Sequence, residues 1–447
     1  MSLVTKAIGC AKKLKHRFRD GVLARTPVYL SPVRRIERVA LKERIVAMTF
    51  DDGPCALPAN PPADGDKPLT LCILETLERY GALGTFDVVG DTSKNYPDTV
   101  GREGTAAWGG VKFDHYPDFK KDSFGGVKSC PELTKRILDG GHEITSHSWA
   151  HVLFGPKPLV YGKRDPLENI DKVIADLKMM DDHMRENYGY TVRLSRPPHY
   201  VDKTYDGLSS YDAYAVMGYQ YLAAAFDGAG WLPLSSYEAE VEAMTKPLAD
   251  ALAADPDSLC GQIIFQKDGY NMSRRSPVAH GLEEQLKLLC RYGYRVVTVS
   301  QLMNMCPFSD VFPDSAVFAH AKALLERGLC VCYRDNTLRP GNILTRGELA
   351  MMLYGGGKRN AERRIELVHK KQKPARDMSF KHPYAAAAAA ALKSGEMTLQ
   401  NGKFLPDEPV TSVAFADICK KHFGREIMPP VGALTHEKAI TALAQTL

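Results

Sequence analysis

The chain has 447 residues, of which 44% are hydrophobic, 9% aromatic and 25% charged. That length exceeds the roughly 250–300 residues at which one hydrophobic core stops growing, so a large domain plus a smaller module is expected. The composition excludes disorder, collagen and coiled coil as global descriptions, and no apolar run reaches the roughly 18 residues of a membrane-spanning helix.

The net charge of +5 is uneven. Residues 1–44 hold twelve Lys and Arg against Asp20, Glu37 and Glu43, which marks residues 1–40 as a basic N-terminal arm. It carries no nucleic-acid-binding motif, so nucleic acid is not an expected partner. Lys6, Lys12, Lys13 and Lys15 leave no room for the apolar stretch of a secretory signal. The ten cysteines are too sparse for a disulfide scaffold, and Cys330 and Cys332 read as packing residues.

Short β-rich apolar runs recur in chain order at 44–50, 85–89, 143–146, 191–195, 221–226, 262–266 and 294–299. Between them lie helix-like segments at 71–79, 131–138, 169–188, 210–218, 236–254 and 282–292. Such alternation predicts a parallel α/β sheet or barrel over 41–305. The stretch 91–130 breaks the rhythm with about forty residues of Gly, Asp, Lys and aromatics, a length usual for functional loops. From 306 to 447 the pattern becomes repeats, at 307–354 and 374–423 with a partial third at 430–447, separated after the first by a basic linker around 358–373.

Chemistry collects at the predicted strand ends. The first strand closes in Thr49-Phe50-Asp51-Asp52-Gly53-Pro54, where neighbouring carboxylates diverge, so that one can bind a metal while the other faces a reacting water. The third is followed by His147-Ser148-Trp149-Ala150-His151; a spacing of four on a helical turn puts both imidazoles on one face. With Asp52 these form a two-histidine, one-carboxylate set that leaves coordination positions open. Further on come Arg196-Pro197-Pro198-His199, Asp227 with Trp231, and Gln266-Lys267-Asp268-Gly269.

In their order and spacing, TFDDGP (49–54), HSWAH (147–151), RPPH (196–199), DxxxW (227–231) and IIFQKDG (263–269) resemble the five motifs of the polysaccharide deacetylases, the NodB-homology group of carbohydrate esterases. The resemblance implies a distorted (β/α)7 barrel, followed here by a small, mostly α-helical repeat domain. It implies a metal-dependent hydrolase that removes acetyl groups from a carbohydrate, first of all an N-acetylglucosamine-containing cell-wall glycan. Asp51 would be the general base, oriented by Arg196. Asp52, His147 and His151 would hold one divalent ion, zinc first, with cobalt, nickel or manganese as alternatives. A backbone N–H near His199 would bind the oxyanion, and Trp231, Pro198 and Asp227 would line the substrate groove.

Two positions depart from the family pattern. Gly230 stands where the partner of the motif-three Arg is usual, and Lys267 where the acid His is usual. Lys267 or His199 is then left to protonate the leaving group. The same departure admits two other readings, a carbohydrate-binding relic without turnover and an amidase acting on a small C–N substrate. The C-terminal units resemble S-layer homology repeats through FSDV (308–311) and RPGNILTRGEL (339–349), which implies a cell-wall polymer as partner, bound at Arg346, and an extracellular or wall-associated place. Repeats two and three lack that Arg, so a single wall-ligand pocket is expected.

Overall fold

A computed structural model describes residues 28–63, 65–91, 125–155, 166–271 and 273–447. Residues 1–27 of the basic arm and most of the 91–130 insertion lie outside the described residues. Among the described residues, nine strands form one parallel sheet: β1 (Arg35–Ile36), β2 (Ile45–Asp51), β3 (Thr85–Val88), β4 (Glu143–Ser146), β5 (Leu194–Ser195), β6 (Gln220–Leu222), β7 (Phe226–Asp227), β8 (Ile263–Lys267) and β9 (Arg295–Val297). The spatial order is β1-β6-β5-β4-β3-β2-β8-β7, with β9 against the start of β2. The sheet curls as the resemblance implies, and Ile263 N donates to Glu37 O at 3.1 Å, bringing β8 against the end of β1. All seven residues of β2 are buried, because a central parallel strand is covered on both faces.

Around the sheet run α1 (Leu69–Arg79), α2 (Pro131–Asp139), α3 (Ile170–Tyr188), α4 (Ser210–Met217), α5 (Tyr237–Ala254), α6 (Val278–Arg291) and α7 (Val299–Met305). The longest, α3, begins where Asn169 accepts from Lys172 N at 3.0 Å and ends at Gly189, whose φ of 61° is left-handed. The repeats contribute α8 (Phe318–Glu326), α9 (Arg346–Tyr354), α10 (Lys358–His369), α11 (Ala385–Lys393), α12 (Ser412–Phe423) and α13 (His436–Thr446). The basic linker is thus helix α10. Its Ala361, Leu367 and Val368 are buried while Lys358, Arg359, Glu362 and Glu366 are exposed, a one-sided pattern that the Lys and Arg density of the sequence conceals.

Residues 28–40 do not form a solvated arm. They run as a strap between sheet and repeats: Ser31 N donates to Cys332 O (3.0 Å), Arg35 N to Arg334 O (2.7 Å) and Ala40 N to Phe308 O (2.7 Å). Buried Arg34 reaches Pro307 O at 2.7 Å and Asn336 Oδ1 at 3.0 Å. One apolar core continues through Ile36, Ile45, Leu222 and Ile263 of the sheet side into Phe308, Leu349, Phe404, Phe415 and Leu443 of the repeats. Cys330 and Cys332 lie reduced within it, and burial pushes the Cys332 thiol up to about 11.

A shared core makes the two parts one cooperative unit. A chain cut after residue 305 is expected to lose its sharp thermal transition, and Arg34→Ala to cost about 2 kcal/mol through the stranded carbonyl and lost charged hydrogen bonds. Calorimetry checks both; two separate transitions in the full chain, or an undisturbed melt of the truncated one, would contradict the shared core.

Candidate metal and catalytic site

Strand register builds the site. On β2, Asp51 is paired with Asp87 of β3 on one side and with Lys267 of β8 on the other, so three charged side chains share one rung at the carboxyl ends of the strands. The next residues continue the ladder: His147 N donates to Val88 O (2.8 Å), Arg196 N to Ser146 O (3.1 Å) and Asp268 N to Asp51 O (2.7 Å). Past the rung the backbone turns sharply. Asp52, Ser148, His151, His199, Tyr200 and Ala229 all have φ between 51° and 79°, a left-handed conformation that is costly for residues with a side chain and concentrates at functional sites. Gly53 is required in the turn after Asp52, since a Cβ there would lie 2.0 Å from Asp268 Oδ2.

The HSWAH segment is an irregular loop, because Ser148 and His151 leave the right-handed region that a helical turn needs. The imidazoles converge all the same, with ring centroids 4.9 Å apart. The loop is held by buried Asp176 of α3, whose carboxylate accepts from Trp149 N (2.7 Å) and Ala150 N (3.1 Å). Asp52 Oδ1 lies 3.0 Å from His151 Nε2 and 3.3 Å from His147 Nε2. Bonds of about 2.0–2.1 Å to one ion put neighbouring donors about 3.0–3.4 Å apart, so this trio fits a small divalent cation. The nitrogen–oxygen donor set suits zinc and its first-row neighbours.

His147 is oriented from behind. Its Nδ1 faces Arg196 O at 2.9 Å and lies 2.9 Å from Asp87 Oδ2. Both are acceptors, so Nδ1 carries the proton and Nε2 is the nitrogen turned to Asp52. Burial opposes charging this ring, but Asp87, Asp52 and Asp51 together raise its pKa well above the ordinary histidine value. Asp87 was not among the residues singled out from sequence; a lone carboxylate in a β-rich run gives no sign until the register sets it beside Asp51.

Asp51 is bonded to Arg196, whose Nη2 also reaches Thr49 Oγ1 at 3.1 Å. Burial raises the Asp51 pKa, and the Arg196 guanidinium limits the rise. Arg196 thus takes Asp51 as its partner, and Gly230 leaves no deficit. Lys267, 3% exposed, places its ammonium on Asp52 Oδ2. His199 sits 5.4 Å from the His151 ring, and burial followed by the charge of His151 holds its pKa well below the ordinary value, so it carries a neutral ring. The amides of Tyr200 and Val201 already donate to Pro197 O (2.9 Å) and Pro198 O (3.1 Å), and the Pro198 side chain is buried.

The remaining expected residues lie on β7, on the loop that follows it and in the repeats. Exposed Asp227 accepts from Trp231 Nε1 at 3.1 Å and from Ala229 N at 2.9 Å, fixing the half-buried indole on the loop after β7. Arg346 gives Nε to Phe404 O and Nη2 to Thr398 O, each at 2.9 Å, so it stitches the first repeat to the second.

The curled parallel barrel thus sets a carboxylate–histidine trio and a second buried carboxylate at its strand ends, with the donor types that a divalent ion takes. Residues 38–216 match the family model described as polysaccharide deacetylase, and residues 307–350 match the S-layer homology domain. The matched segment holds Asp51, Asp52, His147, His151, Arg196 and His199; Lys267 lies beyond it. Among relatives, the peptidoglycan-N-acetylmuramic acid deacetylase PdaC of Bacillus subtilis is 23% identical over 266 residues, covering 60% of this chain and 40% of that protein. A peptidoglycan-N-acetylglucosamine deacetylase of Bacillus cereus is 25% identical over 264 residues, covering 59% of this chain and 89% of that protein. The solved structure of PdaC aligns at 22% identity with a TM-score of 0.37, covering 59% of this chain and 91% of that one.

An ion entering the trio must displace a proton from His147, so divalent-ion affinity is expected to rise with pH, by up to about tenfold per unit below the raised pKa of that ring. Asp87→Asn removes a charge that holds the proton, so its rise should sit at lower pH. Titration calorimetry across pH checks this; an unshifted profile would show that Asp87 does not act on His147.

Proposed function

We propose that this protein is a metal-dependent deacetylase that hydrolyses the N-acetyl group of amino sugars in a cell-wall glycan, held at the bacterial surface by its C-terminal repeats. The observation that carries the reading is the convergence of Asp52 with His147 and His151 beside the buried Asp51–Arg196 pair. Asp52, His147 and His151 would hold the ion, zinc first. When bound, it polarises the acetyl carbonyl and acidifies a water.

The chain's own residues do the rest. Asp51, with its raised pKa, accepts the proton of the attacking water, and Arg196 fixes which carboxylate oxygen faces it. Asp87 and Arg196 O fix the His147 tautomer. Lys267, on the same rung as Asp51, is the group we assign to protonate the leaving amine, since burial holds the His199 pKa well below the ordinary value. Trp231, braced by Asp227, offers an aromatic face to a sugar ring. The relatives that deacetylate peptidoglycan support an amino-sugar polymer as substrate. The S-layer homology domain supports wall association, with Arg346 in a bracing part and the repeat surface as the polymer contact.

A second reading, a glycan-binding protein without turnover, draws on the ammonium of Lys267 beside the proposed ligand Asp52. Acetate release separates the two. N-acetylglucosamine oligomers and acetylated xylan are incubated with metal-stripped protein, then with protein reloaded with zinc or cobalt. Release that returns with metal and falls at least 100-fold in Asp51→Asn is expected. Oligomer binding without release would favour the second reading.

A further inference from the structure

Lys267 does more to this site than stand in an acid's place. Its side chain is buried, and its Nζ is bonded to Oδ2 of the carboxylate whose Oδ1 lies 3.0 Å and 3.3 Å from the two imidazole nitrogens. β8 pairing with β2 fixes where the chain delivers this group, since Lys267 is in register with Asp51. The stem passes Gly269, where an added Cβ would make an ordinary contact of 3.5 Å with Lys267 Cε.

Charge follows from the same contacts. Four buried carboxylates, Asp51, Asp52, Asp87 and Asp268, lie among two buried cations, Arg196 and Lys267, and the buried His147 ring. Arg196 is matched to Asp51, so Lys267 is the cation placed on the proposed metal ligand itself. The ammonium repels any second cation drawn to that carboxylate and withdraws charge from it, and buried pairs a few ångströms apart are poorly screened. Cation affinity of oxygen-donor sites is tuned through the net charge of the ligand set.

We propose that Lys267 is an affinity-setting residue: its ammonium on Asp52 weakens the hold of the Asp52–His147–His151 trio on a divalent ion, so that the site fills only when free ion is abundant. The proposal rests on the metal reading above and names a regulation of that same site. Occupancy then becomes a response to ion supply rather than a fixed property of the folded chain. The cost of removing the lysine falls on the ion-free protein, where Asp52 would be left buried without its ammonium.

The test uses the full-length protein, stripped with a chelator, in three forms: wild type, Lys267→Met, which keeps length without charge, and Lys267→Arg, which keeps the charge. Zinc affinity is read by competition with a chromophoric chelator, cobalt binding by visible absorption, and melting temperature with and without ion. The expected result is at least tenfold tighter zinc binding in Lys267→Met, with Lys267→Arg within about threefold of wild type. Lys267→Met should also melt lower than wild type without ion and gain more from zinc. Equal or weaker binding in Lys267→Met, while wild type binds one ion that Asp52→Asn loses, would overturn the proposal and leave the metal reading intact. No ion bound by either wild type or Lys267→Met would overturn the metal reading, and the proposal with it. If Lys267→Met does not fold, Lys267→Gln carries the same comparison.

Discussion

Buried charge governs this barrel. Ionised carboxylates at the closed end of a sheet are tolerable only when each is matched by a cation, a hydrogen-bond donor or a metal, because solvation lost on burial must be replaced locally. Here the register of β2 with β3 and β8 sets Asp87, Asp51 and Lys267 on one rung, and the following turn adds Asp52. Arg196, Lys267 and His147 answer those charges. Everything that surrounds the rung, from the left-handed turns to the Asp176 clasp on the histidine loop, serves to hold these groups in register.

The rest of the chain supports the same rigidity. The strap at 28–40 and the core common to sheet and repeats tie the helical C-terminal part to the barrel across the side where β1, β6 and β8 meet. A surface-binding module fused in this way would present the strand-end site at a fixed attitude to whatever the repeats engage, in contrast to a module on a flexible linker.

Much of this was legible in the sequence. The alternating strands and helices and the parallel sheet follow from the periodicity of the apolar runs, the meeting of Asp52 with His147 and His151 from two short motifs at strand ends, and the pairing of Asp51 with Arg196 from the family resemblance that those motifs carry. What stayed hidden depends on register or on distant partners. Asp87 looks like noise in a strand until β3 is laid against β2. Asp176 is one of many acidic residues on a long helix until the histidine loop meets it. The Lys and Arg density at 358–373 masked the apolar stripe of α10, and the basic start of the chain masked the strap. The HxxxH spacing suggested a helical turn, and two left-handed residues give the same convergence by another route. The guanidinium of Arg346, the expected wall-ligand residue, also meets carbonyls of the next repeat, which no local pattern reveals.

Crystals of the chelator-stripped protein, soaked in a zinc salt and measured on both sides of the zinc absorption edge, test the central claim most directly. One strong anomalous peak is expected about 2.0–2.2 Å from Asp52 Oδ1, His147 Nε2 and His151 Nε2. A map with no peak there at saturating zinc, with Lys267 still seated on Asp52, would contradict it.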